Sequence, residues 1–286
     1  VEVLAKRMDA ALRQVTAMIR SCLMMLFIVA FMPIFSGCLG SRKVPQAVQQ
    51  ERVADLNERA LDSFEKGMDL DADKLLSEAL RIASSLDDRD GRTITLLNQS
   101  RIARHKGNKQ EADRLVEMAL HNSSGTALYA DVAQEKSIQQ IEAGELDEAL
   151  KWAKISNDSE SGELSGRRMN LLARILLLKG DYNDAARMAE MALSANKSKD
   201  IYLEQANSLR ILGLIKGRAG QFDKALEMLQ EALQIDRQQA ASLKIAADLE
   251  ALAEVSGLKN DLEAKKDYLK RALTVKEALK GKTVKK

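Results

Sequence analysis

Thiol and imidazole side chains, the commonest ligands of transition metals, are few in this chain. The cysteines are Cys22 and Cys38, and the histidines are His105 and His121. The two histidines belong to different helices or turns, form no HExxH pattern and have no cysteine beside them, so they read as surface or groove histidines. Gly213, Gly217 and Gly220 make neither a dinucleotide-binding fingerprint nor a phosphate loop, because they fall in a helix and its terminal turn instead of after a strand. They read as packing and capping glycines. In residues 157–163, NDSESGE, the positions Asn157, Ser159, Ser161 and Gly162 follow a calcium loop, but Arg168 stands where such a loop needs a bidentate glutamate. That stretch is expected to be a loop between repeats. The many Asp and Glu contain no pair that spacing singles out as general acid and base. No enzyme, no metal, no cofactor and no small-molecule substrate are expected.

What remains with directed chemistry is a set of arginines and amides at helical spacing. Arg101 and Arg104, then Arg167, Asn170 and Arg174, then Asn207 and Arg210 recur at steps of 3 and 4, which put each group on one helix face. Guanidinium forks grip carboxylates and side-chain amides hold peptide backbone. These residues are therefore candidates for a groove that takes an extended segment or a C-terminal carboxylate. Neighbouring stretches carry different stripes: Asp131, Gln134, Ile138 and Ile141 before the middle group, and Ala247, Glu250, Glu254 and Gly257 near the end. A basic, amide-rich middle is thus bordered by an acidic last pair. A helical surface with 30% charged residues also produces arginine stripes that only face solvent, and the pattern alone leaves both readings open.

Holding such a face across several helices requires a repeated element, and the chain contains one. Turns are signalled at Gly67, Gly107, Gly144, Gly180, Gly220 and Asn260, at intervals of 40, 37, 36, 40 and 40 residues. Seven residues before each turn stands a small residue: Ala60, Ser100, Ser137, Ala173, Gly213 and Ala253. Five residues after the first five turns come Ala72, Ala112, Ala149, Ala185 and Ala225. Small side chains at matched heights let paired helices approach closely. Tyr182 and Phe222 stand two residues after their glycines, in the runs LLARILLLKGDYNDAARMAEMAL and LRILGLIKGRAGQFDKALEMLQEAL. On these features residues 51 to about 276 resemble the tetratricopeptide repeat. Asp69 and Lys109 depart from the aromatic place, Lys265 departs from the small one, the closing proline is missing, and the spacings exceed the family's 34 residues. The resemblance implies an all-α fold, a right-handed superhelical solenoid of about six helix-turn-helix repeats at about 53–86, 93–126, 130–163, 166–199, 206–239 and 246–279. It also implies that the first helix of each pair lines the partner groove. One amphipathic hairpin cannot bury its own apolar stripe, so stacking must supply the core. A polar helix from Lys265 to Lys280 and a basic tail at 281–286 are expected to close the C-terminal end.

Composition agrees with packed helices. Aromatics are 3% and hydrophobics 45%, so the core must come from Ala and Leu. The net charge is +2, and three of the five Phe lie in one N-terminal stretch, which leaves neither the field nor the stacking platforms of a nucleic-acid binder. No nucleic-acid partner is expected. That stretch, CLMMLFIVAFMPIFSG at 22–37, is an uncharged run that follows Arg20 and ends in small residues before Cys38, the layout of a signal peptide. Phe35-Ser36-Gly37-Cys38 resembles the lipobox of bacterial lipoproteins, with Phe35 in place of the usual aliphatic residue. The resemblance implies removal of residues 1–37 and lipidation of Cys38. With Leu39 next, it implies an outer-membrane lipoprotein that faces the periplasm. The run also reaches the lower edge of what spans a bilayer, so a retained membrane helix is the other reading. A start at Met18 would shorten an unusually long charged segment before it. Residues 38–50 are expected to be the lipidated cysteine and a tether with a reach of about 40 Å at most, followed by the solenoid at 51–280.

Taken together, these features point to a lipid-anchored scaffold of the cell envelope that docks protein or extended-peptide partners and meets the membrane through its lipid. Pilus or secretin assembly, polysaccharide export and peptidoglycan-enzyme scaffolding are not distinguished by the sequence. An envelope hydrolase or glycan-binding solenoid and a membrane-anchored cytoplasmic regulator are the alternatives. The first of these would have only seven aromatics beyond Cys38 on which to stack sugar.

Overall fold

The computed structural model describes residues 45–158 and 165–283, with side chains through Leu279. Among the described residues are twelve α-helices and no strand, arranged as six antiparallel hairpins. They are α1 (Pro45–Glu65) with α2 (Asp69–Ser85), α3 (Arg89–His105) with α4 (Lys109–Ser123), and α5 (Tyr129–Ala143) with α6 (Leu146–Asn157). Then follow α7 (Ser165–Lys179) with α8 (Tyr182–Lys197), α9 (Tyr202–Arg218) with α10 (Phe222–Gln238), and α11 (Ser242–Leu258) with α12 (Leu262–Thr283).

Each hairpin reverses on one left-handed residue. Gly67, Gly107, Gly144, Gly180 and Gly220 have φ between 74° and 86°, and Asn260 has φ 66°. There a Cβ crowds the following carbonyl, which is why glycine or asparagine takes the place. The next backbone N–H then reaches back into the helix, Met68 N to Ser63 O at 2.8 Å and Asp181 N to Leu176 O at 2.9 Å, satisfying carbonyls that the helix end leaves free. Between hairpins the chain uses left-handed residues again, at Asp87, Gly125, Asp200 and Ala240. Asp88 then caps α3 by accepting a hydrogen bond from Gly91 N at 3.0 Å.

The small residues do what their spacing predicts. Ala60, Ser100, Ser137, Ala173, Gly213 and Ala253 are all buried, as are Ala72, Ala112, Ala149, Ala185 and Ala225 across from them. The Ser100 hydroxyl donates to Ala112 O at 3.0 Å and that of Ser137 to Ala149 O at 2.8 Å, so neither is left unsatisfied by its burial. In the fifth hairpin the approach is close, and a Cβ added to Gly213 would lie 2.7 Å from Leu229 Cγ. Consecutive first helices, α1, α3, α5, α7, α9 and α11, touch one another, whereas consecutive second helices do not. The first helices therefore lie on the inner side of the stack and the second helices on the outer side.

Two boundaries differ from expectation. Helix α1 starts at Pro45, so residues 45–50, assigned to the tether, are helical. Proline suits a first turn, where its missing N–H would have no partner. Helix α12 runs to Thr283, into the expected tail, and is not polar all round, because Leu262, Leu269 and Leu273 are 63%, 45% and 56% exposed. The expected signal peptide at 1–37, Cys38 and the expected tether before Pro45 lie outside the described residues, as do residues 159–163 of the expected inter-repeat loop at 157–163, whose Asn157 ends α6. No helix among the described residues is long and apolar enough to cross a membrane.

Candidate functional site

The inner helices carry all seven predicted groove residues but give them unequal partners. From α3, Arg101 Nε and Arg104 Nε donate to the two carboxylate oxygens of Glu135 on α5, at 3.2 and 2.9 Å. Arg104 also reaches Glu142 at 2.7 Å. Glu135 is only 2% exposed, and two guanidiniums offset the cost of taking its charge out of water. Asn170 on α7 is buried, donates to Glu204 Oε2 on α9 at 3.0 Å and accepts from the Ser208 hydroxyl at 2.7 Å. Asn207 donates to the same Glu204 at 3.2 Å and accepts from Arg210 at 3.2 Å. Arg210 in turn binds Asp236 on α10 at 2.8 Å and Asp248 on α11.

These are ties between repeats, and they belong to a longer ladder. Asn57 on α1 donates to Thr95 Oγ1 and accepts from Asn98 Nδ2 on α3, both at 2.9 Å. Arg168 on α7, 2% exposed, donates to Asp131 on α5 at 2.8 Å. Reading the stripe from sequence missed the acceptors Glu135, Glu204, Asp236 and Asp248. The signal was present as spacing: Arg101 and Glu135 are 34 residues apart, Arg168 and Asp131 37, and Arg210 and Asp248 38. Each separation is about one repeat.

Two of the predicted residues are not consumed in this way. Arg167 is exposed beside Gln134, whose side-chain oxygen lies 3.2 Å from the guanidinium in the amide orientation that satisfies both groups. Arg174, also on α7, is open to water and forms no hydrogen bond or ion pair among the described residues, yet protein surrounds it on the inner face. Burial pushes its pKa down; Glu142 opposes this, and the neighbouring Arg210 and Arg104 push it down further. A cation short of a partner, set near two others, is a seat for an anionic group. Ile138, Ile141, Leu177 and Leu214, half-buried on the same helices, give that face an apolar component.

The Arg210 junction has a peculiarity of its own. Asp236 and Asp248 are 0% exposed, and beyond Arg210 and the proton that Asp248 can share with Asp236, the oxygens Asp236 Oδ1 and Asp248 Oδ2 meet no hydrogen-bond donor among the described residues. Burial pushes Asp248 up to about 7 against the pull of Arg210, and it raises Asp236 as well. His105 packs against Phe64 with ring centroids 5.9 Å apart and is pushed down, first by burial and then by Arg104. It is an exposed histidine resting on one aromatic ring, as its sequence setting predicts. No group of three or more His, Cys, Asp or Glu among the described residues is placed to hold a metal ion.

Inner helices in contact, outer helices apart and a left-handed turn every 36 to 40 residues decide the architecture. The fold is a tetratricopeptide-type solenoid. No family model matches the chain, and no curated protein sequence does. Among solved structures, the solenoid is similar to a Rap protein complexed with competence and sporulation factor, at 17% identity and TM-score 0.62, covering 81% of this chain and 67% of that one. It is similar to PilW, a type IV pilus biogenesis factor, at 13% identity and TM-score 0.57, over 76% of this chain and 90% of that one. It is also similar to PilF of Pseudomonas aeruginosa, at 15% identity and TM-score 0.55, over 77% and 90% of the two chains. At such identities the likeness is one of fold.

Proposed function

We propose that this tetratricopeptide solenoid is a non-enzymatic scaffold whose inner face binds an extended protein segment, with Arg174 receiving an acidic side chain or a C-terminal carboxylate. The observation that carries the reading is Arg174 itself, an exposed guanidinium on the inner face that forms no ion pair among the described residues, while Arg101, Arg104 and Arg210 are already held by internal acids. Arg167, two turns earlier on the same face of α7, extends the cationic strip, and the half-buried Ile138 and Leu214 offer apolar contacts to a peptide lying across α5, α7 and α9. The Rap protein is complexed with competence and sporulation factor and PilW is a type IV pilus biogenesis factor, and the shared fold supports a binding role here. The N-terminal residues add the second half of the proposal: a signal sequence, a lipid on Cys38 and a place at the periplasmic face of the outer membrane.

An array of extended peptides with graded acidic content tests the groove. Wild type is expected to retain peptides bearing Asp, Glu or a free C-terminus, and Arg174→Ala to lose them while its melting temperature stays within the equivalent of about 0.5 kcal/mol. Equal retention by both proteins would sink the assignment. The anchor is tested separately by the mass of the mature N-terminus from the native host, where acylation at Cys38 is expected and an uncleaved chain would refute it.

A further inference from the structure

Every outer helix but the last buries the same two places alongside the next repeat. The residue nine after the turn is Leu76, Val116, Ala153, Ala189 or Leu229, none more than 1% exposed, and each clusters with apolar side chains of the following inner helix, as Leu76 does with Ile102 and Leu229 with Leu252. The residue thirteen after the turn is Leu80, Leu120, Asn157, Leu193 or Leu233, buried or half-buried in each case. In α12 these registers fall on Leu269 and Leu273, 45% and 56% exposed, and Leu262 on the same face is 63% exposed. The berth that each following inner helix fills is formed on α12 and uncovered among the described residues.

The opposite end of the stack is closed differently. Twelve, eight and five residues before the turn, α3 to α11 place mostly buried side chains such as Val132, Ser208, Leu212, Leu252 and Val255, whereas α1 places Asp55, Arg59 and Asp62, all exposed. Asp55 pairs with Arg59 and Asp62 with Lys66. A solenoid end sealed by charge in this way does not offer a surface for leucines, so head-to-tail stacking of copies would bury these charges under Leu269 and Leu273.

The charges around the leucines suit a different arrangement. Lys276 is held by Glu250 of its own hairpin, but Lys266 and Glu277 are exposed and form no ion pair among the described residues. When two α12 helices are laid antiparallel with Leu269 opposite Leu273 of the second copy, Lys266 and Glu277 of that copy stand on the same flank of the seam, one residue or about 1.5 Å apart in level, and two-fold symmetry repeats the pairing. A parallel arrangement would set Lys266 against Lys266. We propose that the outer face of α12 docks a second copy of this chain, forming a two-fold symmetric, antiparallel α12–α12 dimer built on Leu262, Leu269 and Leu273 and keyed by Lys266 with Glu277. Two-fold closure leaves both inner grooves free and stops growth at two. With one helix per partner the interface is at the small end of the range, so association is concentration-dependent.

Sedimentation velocity of the full-length chain in density-matched detergent, over a concentration series into the high micromolar range, tests this. Wild type is expected to shift from monomer to dimer. Leu269→Glu with Leu273→Glu is expected to raise the dissociation constant by about 100-fold or more, with unchanged helical circular dichroism because both positions face solvent in the monomer. Lys266→Glu alone and Glu277→Lys alone are each expected to weaken the dimer, and the two together to restore it. A dimer indifferent to the leucine changes, or a double charge exchange that fails to restore, overturns the proposal. So does a wild type that stays monomeric throughout; if that chain instead co-sedimented with phosphatidylglycerol vesicles, and lost this on Lys266→Glu, the face would belong to an anionic bilayer.

Discussion

Replacing Asp248 by asparagine is expected to remove a pH dependence that the wild type shows and to stabilise the last junction in mild alkali. Asp236 and Asp248 are both fully buried and both meet the single guanidinium of Arg210. In the unfolded chain Asp248 ionises near its ordinary value of 3.8, whereas burial in the fold pushes it up to about 7. Between those values the folded state holds a proton that the unfolded state has released, so stability falls as pH rises through this window. The contribution is complete below about pH 4 and gone above about pH 7. A displacement of this size corresponds to about 4 kcal/mol of charging free energy. Opening of the terminal hairpin admits water to the pair at less than the cost of global unfolding, which lowers the amount a denaturation curve reports to about 2–4 kcal/mol. Asparagine can still donate to Asp236 and accept from Arg210, but it does not ionise. Urea denaturation at pH 5 and pH 8 should show wild type losing about 2–4 kcal/mol between the two and Asp248→Asn losing less than half of that. His105, which burial pushes down, contributes in the opposite sense and is common to both proteins, so it cancels in the comparison. If Asp248→Asn kept the full wild-type loss, the account of the buried pair would be wrong.

Other consequences can be measured by the same denaturation curves. Glu135→Leu strips two arginines of their shared carboxylate and is expected to cost about 2–4 kcal/mol, most of it recovered when Arg101 and Arg104 are changed to Met as well. Gly213→Ala drives a methyl group against Leu229, which is 0% exposed and has no room to retreat, for a loss of about 1–3 kcal/mol. Ala240, held at φ 52°, bears a Cβ in the left-handed region, so Ala240→Gly should stabilise by about 0.5–1 kcal/mol; a loss of stability would show that the turn is not strained.

How much of this was legible in the sequence divides along the range of the interactions. The turns at Gly67 to Asn260 and the alanines around them are local signals: a left-handed turn needs glycine or asparagine, and a close crossing needs a side chain of one carbon, whatever lies elsewhere in the chain. The turns between hairpins were harder, because Asp87, Asp200 and Ala240 adopt the left-handed conformation without being glycine. Helical spacing identified the inner face, and it is on that face that Arg101, Arg104, Asn170 and Arg210 stand. Spacing alone does not say what a guanidinium touches, and their partners Glu135, Glu204 and Asp248 sit one repeat further on. Arg174 stands out only once the neighbours of the others have been counted. The leucines of α12 were hidden among the lysines for a related reason: Leu269 follows the same register as the buried Leu229, and it is exposed because no further helix among the described residues covers it.

The ladder of polar contacts has a bearing on how such a chain can be lengthened or shortened in evolution. Alanine against alanine is a contact that any repeat can make with any other, so packing alone would permit units to be duplicated, deleted or exchanged. The junctions are not alike, however: Asn57 with Thr95 and Asn98, two arginines with Glu135, Asp131 with Arg168, Asn170 with Glu204 and Ser208, and Arg210 with Asp248. Excising the fourth hairpin would bring α5 against α9, and Asp131 would find Ser208 in the register where Arg168 had been. Each joint is cut to its own pattern, and six units of one design are thereby fixed in a single order and number.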